Sequence, residues 1–195
     1  MKQGWMIVLG LALLAGCVTS KKHDRPPAAS FTGTLSEQAI PPSILGPDWK
    51  MEEGLMVDDV AHPPKVSPIR QAWVDKFFAQ KQASGVRSYG EFFYFRPETP
   101  PVKVSALILV YHDAEKARMH WNETYGPGLL VAGYKRTNEY GDKSVENSKY
   151  DELVVLAGNV VLQVSQPVPS ETNERILKAY MQKLGVDNAP PGAPQ

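Results

Sequence analysis

A single cysteine, Cys17, stands in a chain of 195 residues, so no intramolecular disulfide can brace the fold. Neither charge is in surplus: 21 Lys and Arg face 21 Asp and Glu. That balance excludes the broad basic surface on which nucleic-acid binding rests. Long apolar runs are missing as well, because the only extended one, "GWMIVLGLALLAG", gives way to the polar "TSKKHDR" at Thr19, short of the about 20 residues a membrane-spanning helix needs. Catalytic signatures are absent. There is no G-x-S-x-G elbow, no H-E-x-x-H, no C-x-x-C, and no phosphate-cradling glycine loop after a strand, since the glycines of "GPGLLVAG" precede one. Two pairs invite a chemical reading: Asp58 or Asp59 with His62 in "DDVAH", and His120 with Glu123 in a helical segment. Two ligands fall short of the three or four of a specific metal centre, so these read as solvated polar residues, and no metal or cofactor is expected.

What is present begins at the N-terminus, where Lys2 precedes the apolar segment in the order of a secretory signal. Its end, "LAGC", with Leu14, Ala15 and Gly16 before Cys17, resembles the lipobox of bacterial lipoproteins. The resemblance implies that residues 1–16 are removed and that Cys17 becomes the acylated first residue of an exported, membrane-anchored protein. Val18 follows where aspartate commonly signals inner-membrane retention, which by the same resemblance places the protein at the outer membrane, facing the periplasm, in a Gram-negative host. Loss of residues 1–16 removes Lys2 and leaves 20 basic against 21 acidic residues. The cluster Lys21, Lys22 and Arg25 reads either as part of a solvated linker or, close to the lipid, as a contact with anionic headgroups worth up to about 1 kcal/mol per charge.

Residues 17–47 contain the pairs Pro26–Pro27 and Pro41–Pro42 and little apolar periodicity, and read as a flexible tether. Residues 188–195, "NAPPGAPQ", read as a loose tail. Between them, residues 48–187 have the size of one domain. Ser67, Pro68 and Gly85 delimit a helix with Ile69, Ala72, Trp73 and Phe77 on its apolar face. "YGEFFYFRP" and "VKVSALILVYH" are expected as antiparallel strands. A second helix starts at Asp113, with Ala114, Ala117, Trp121 and Tyr125 along one side, and "LLVAGYKR" is a further strand. The polar "TNEYGDKSVENSKYD" crosses to a hairpin, "ELVVLAGNVVLQVSQ", turning at Gly158 and Asn159. A type II′ turn there needs positive φ at Gly158, leaves Asn159 replaceable, and pairs Ala157 with Val160, Val155 with Leu162 and Leu153 with Val164. Ile176, Leu177, Tyr180, Met181 and Leu184 form the stripe of a last helix. The expected fold is α+β: an antiparallel sheet of about five strands with about three helices packed on it. This element order, with its "GD" turn, is similar to compact exported domains related to the photosystem protein PsbP.

The functional expectation is a non-enzymatic, lipid-anchored cell-envelope protein that binds a protein partner or a small or apolar ligand. In "FFYF", Phe92 and Tyr94 point to one sheet face and Phe93 and Phe95 to the other; double burial is the simpler reading and an open apolar cleft the functional one. Asp142 and Lys143 suit a turn, and the glycosylation-like "NET" from Asn122 to Thr124 falls in a helix. Two other roles compete: a structural accessory of envelope assembly, and a hydrolase using His112 or His120 beside an acid in a cleft.

Overall fold

Seven strands and three helices alternate along the computed structural model, which describes residues 27–98, 101–126, 133–137, 139–165 and 170–187. They are β1 (Lys50–Val57), α1 (Pro68–Ala83), β2 (Val86–Arg96), β3 (Val102–Tyr111), α2 (Ala114–Tyr125), β4 (Lys135–Arg136), β5 (Lys143–Asn147), β6 (Glu152–Ala157), β7 (Val160–Ser165) and α3 (Ser170–Lys183). All the strands pair antiparallel in one sheet of order β1-β2-β3-β7-β6-β5-β4. The α+β class stands, with more strands than the five expected. β5 escapes notice because its sequence, "KSVEN", is polar, and β1 because Glu53 and Gly54 interrupt its pattern where its register with β2 shifts. Half of the expected "LLVAGYKR" strand, 129–132, lies outside the described residues, and of 133–136 only the two residues of β4 are strand.

The β6–β7 hairpin adopts the expected register, with Ala157 opposite Val160, Val155 opposite Leu162 and Leu153 opposite Val164. Gly158 has φ 57°, as the first central position of a type II′ turn requires. A second constraint comes from outside the hairpin: a Cβ on Gly158 would collide with the carbonyl oxygen of Ala29.

Both faces of the sheet are covered. On one, Phe92, Tyr94, Ala106, Ile108, Val155 and Leu162 pack against α3 through Ile176, Leu177, Tyr180, Met181 and Leu184, the stripe read from the sequence. On the other, Leu109, Val154, Leu156 and Val161 pack against Val74 and Phe78 of α1 and Ala117 and Trp121 of α2. Asp113 caps α2 by accepting from the Lys116 amide at 2.7 Å. The expected apolar face of α1 is corrected. Val74 and Phe78 are buried, whereas Ile69 is 93% and Trp73 60% exposed, so the helix is turned about half a revolution from the orientation its apolar spacing suggested.

The tether limit is corrected too. Residues 28–45 form a strap across the α3 side of the sheet, burying Phe31, Leu35 and Ile40 in the same core. Each such burial contributes about 1.5–3 kcal/mol before the cost of ordering the segment. Polar groups fasten the strap. The Phe31 amide donates to Asn159 Oδ1 (2.7 Å), Asn159 Nδ2 donates to the Phe31 and Tyr111 carbonyls (3.0 and 2.9 Å), and the Ala28 amide donates to Asp142 Oδ1 (2.9 Å). Midway along it the Asp58 carboxylate accepts from the Leu35 amide (2.5 Å) and the Ser36 hydroxyl (2.7 Å). The proline pairs suggested looseness, yet three irregularly spaced apolar residues suffice to dock the segment. Asn159 is 2% exposed and joins strap to hairpin, so the expectation that it tolerates replacement is also corrected.

Candidate functional site

The residues first weighed for chemistry do not converge. Asp58 holds the strap, and Asp59 bonds the exposed His62 ring at 2.7 Å in a turn, which holds its carboxyl below the usual range. His120 bonds Thr124 (3.2 Å) rather than Glu123, stacks on Tyr111 at 5.6 Å, and is lowered from its ordinary pKa by burial. His112 is exposed. Asp142 is structural, because its Oδ2 accepts from the Gly158 amide at 2.8 Å while Oδ1 takes Ala28. Lys143 reaches Asn122 at 3.1 Å. Phe92 and Tyr94 are fully buried, and Phe93 and Phe95 are half-buried on the opposite face. Cys17, with the signal segment and its basic cluster, lies outside the described residues, as does the 188–195 tail. Among the described residues no group of three His, Cys, Asp or Glu could hold a metal ion, and no helix is long and apolar enough to cross a membrane.

A different place draws functional groups together. Where β5 ends and β6 begins, the turn 148–151 meets the first half of α3 around a cavity of about 190 Å³. Five carboxylates line it, from Glu139, Glu146, Asp151, Glu152 and Glu174, with Tyr140, Leu153, Asn147 and Asn173. The β5–β6 connection is tight enough to put Asp151 at φ 46°, and Asn147 Oδ1 steadies it by accepting from the Lys149 amide at 3.1 Å. Asn173 clamps the same turn, its Nδ2 donating to the Asp151 carbonyl at 2.7 Å. Asn173 is 4% exposed, and its buried Oδ1 has no hydrogen-bond partner among the described residues. An unmet buried acceptor costs about 1–3 kcal/mol.

The chain matches no protein-family model and no curated protein.

The electrostatics of the cavity are those of crowded acids. Burial raises the Glu152 carboxyl above its ordinary range, partly opposed by the Tyr134 hydroxyl donating to it at 2.9 Å. Burial and the bond to Glu174 push Tyr140 up to about 12, so its hydroxyl stays a donor. Two lysines answer the acids: Lys135 lies 3.5 Å from Glu146, and Lys178 lies 3.1 Å from Glu174 and above the Tyr140 ring at 5.7 Å. Five carboxylates and no Lys or Arg line the cavity itself, an environment that favours positive charge. Among the described residues no three of these acids come together as a metal site requires. The sequence carried a faint sign of this site in the density of Asp and Glu over residues 139–152, read above as a polar crossing. Asn173 gave none.

Proposed function

We propose that this protein is a lipid-anchored, non-enzymatic domain of the cell envelope that binds an amine or guanidinium group in the acidic cavity between β5–β6 and α3. The observation that carries the binding reading is the set of five carboxylates lining one cavity. Together they supply acceptors for an N–H donor bearing positive charge. The anchoring reading is supported by the lipobox-like "LAGC". The layout agrees with it. Ala28, where the described chain begins to bond, sits at the Gly158 end of the sheet, and the cavity sits at the opposite end of the six-residue β6, about 20 Å away. A ligand could therefore approach the domain from the side remote from the anchor.

Two measurements test the two parts. Fatty-acid labelling of the full chain should be lost in Cys17→Ser; continued labelling of that variant would sink the anchoring reading. For the cavity, thermal shifts should rise with added spermidine or with an arginine-containing peptide, fall with salt, and shrink in Glu146→Gln/Asp151→Asn. A shift with spermidine alone assigns a free amine, and one with the peptide alone a partner's side chain. No shift with either, or an unchanged shift in the double variant, overturns the binding reading.

A further inference from the structure

The outer face of α1 is the one large apolar surface the fold leaves uncovered among the described residues. Ile69 is 93% exposed, Trp73 60% and the preceding Val66 37%, and the Trp73 ring stacks on Phe77 at 5.1 Å with 17° between planes. At about 100° per residue, Ile69, Trp73 and Lys76 fall within roughly 60° of one another on the pole opposite the buried Val74 and Phe78. Lys65 and Arg70 flank this pole, and Lys81 lies over the Phe77 ring at 5.2 Å. The helix has one acid, Asp75, whose carboxylate accepts from Gln71 at 2.8 Å.

We propose that this face of α1 lies on the surface of an anionic phospholipid bilayer, with Ile69 and Trp73 entering the headgroup layer and Lys65, Arg70 and Lys76 meeting lipid phosphates. An exposed tryptophan and isoleucine ringed by basic residues has the chemistry of an interfacial helix, in which an amphipathic ring sits at headgroup level and lysines stay at the phosphates. A soluble partner of matching shape would need an apolar patch bordered by acids; the bilayer offers both over any area. Reach permits the contact. The chain from Cys17 to Ala28 spans at most about 37 Å, comparable to the domain's own width. The proposal rests on the anchored reading for its proximity to a bilayer, and its test keeps the two separate.

The full chain is purified and its acylation read by mass, then mixed with phosphatidylglycerol-containing vesicles whose acyl chains carry bromine, a contact quencher of tryptophan. Trp5 belongs to residues 1–16, and Trp49 and Trp121 are 9% and 3% exposed, so the quenching that Trp73→Phe removes is that of Trp73. Quenching of this emission is expected, with its loss in Trp73→Phe. Reversing the charge in Lys76→Glu should weaken the contact by roughly fivefold or more in lipid concentration, since each interfacial charge is worth about that factor. An acylated chain that co-sediments with vesicles yet shows no more quenching than Trp73→Phe overturns the proposal while leaving the anchor intact. An unacylated chain whose quenching is lost in Trp73→Phe keeps the proposal and removes the anchor. A Trp73 emission shift that follows protein concentration without lipid assigns the face to a second copy of the chain and overturns it.

Discussion

Replacing Asn159 by aspartate changes one atom, and the surroundings of that atom set the cost. In the folded chain Nδ2 donates to two buried carbonyls, those of Phe31 (3.0 Å) and Tyr111 (2.9 Å), while Oδ1 accepts from the Phe31 amide (2.7 Å). The carboxylate keeps the last bond, but its second oxygen faces two carbonyl oxygens in a site 2% exposed. Two lost hydrogen bonds, two unmet acceptors and a poorly solvated charge together cost about 3–5 kcal/mol at neutral pH. With a urea m-value of about 2 kcal/mol/M for a chain of this size, the midpoint should fall by about 1.5–2.5 M. The sign of the pH effect is a sharper test. Once protonated, the introduced carboxyl regains a donor, so its folded pKa lies above the unfolded value of about 3.9. The penalty is therefore small below that value and grows as pH rises through the folded pKa. Asn159→Ala, which loses all three bonds without adding charge, should show a deficit of about 2–4 kcal/mol that does not vary with pH. A deficit for Asn159→Asp under about 1 kcal/mol, or one equal at pH 4 and pH 7, would refute the assignment of this amide as the joint between strap and hairpin.

Gly158→Val should destabilise by more than about 1 kcal/mol, because a β-branched residue resists φ 57° and its Cβ meets the Ala29 carbonyl; an unchanged urea midpoint would withdraw the turn. Tyr94→Phe removes a hydroxyl bonded to Tyr180 (2.8 Å) and to the Ile40 carbonyl (3.1 Å), and should cost about 1–2 kcal/mol by the same measurement, with protease cleavage appearing first in the strap. At the cavity, the raised Glu152 carboxyl keeps its proton to higher pH than an ordinary glutamate, and a bound cation favours its ionised form. Spermidine binding should thus tighten as pH rises through the Glu152 range and release protons, read by calorimetry in buffers of different ionisation enthalpy; affinity flat from about pH 4.5 to 7 in Glu152→Gln and parent alike would refute its part in the site.

The elements most legible in the sequence are those whose local signals agree with their packing. α3 shows its buried stripe residue by residue, and the β6–β7 hairpin announces its turn through Gly158 and its register through alternation. α1 misleads because both sides of it are apolar: Ile69 and Trp73 suggest an inward face as well as Val74 and Phe78 do, and only contact with Tyr89 of β2 decides between them. The strap misleads for the opposite reason. Phe31, Leu35 and Ile40 obey no period, since an irregular segment buries side chains wherever the sheet has room. The cavity is less legible still. Its acids come from β5, β6, the segments beside them and α3, brought together by the antiparallel return of the chain, and the amide that most distinguishes it, Asn173, looks like any polar residue in the first turn of a helix.

The strap also governs the order in which the molecule can be finished. Phe31 is among the first of the described residues to be made, yet the amide that receives it lies 128 positions later, and the carboxylate that receives Ala28 lies 114 positions later. At the usual pace of about 5–20 residues per second, the leading segment waits on the order of 6–25 s for its acceptors to exist. Until then the ground beneath Phe31, Leu35 and Ile40 is open, and these side chains are at liberty to stick elsewhere. Closing so long a loop is entropically slow, which puts docking of the strap among the late steps. A growing chain therefore stays unlatched until the hairpin has emerged, a delay that keeps it threadable through a narrow channel and makes it dependent on whatever shields its leading segment meanwhile.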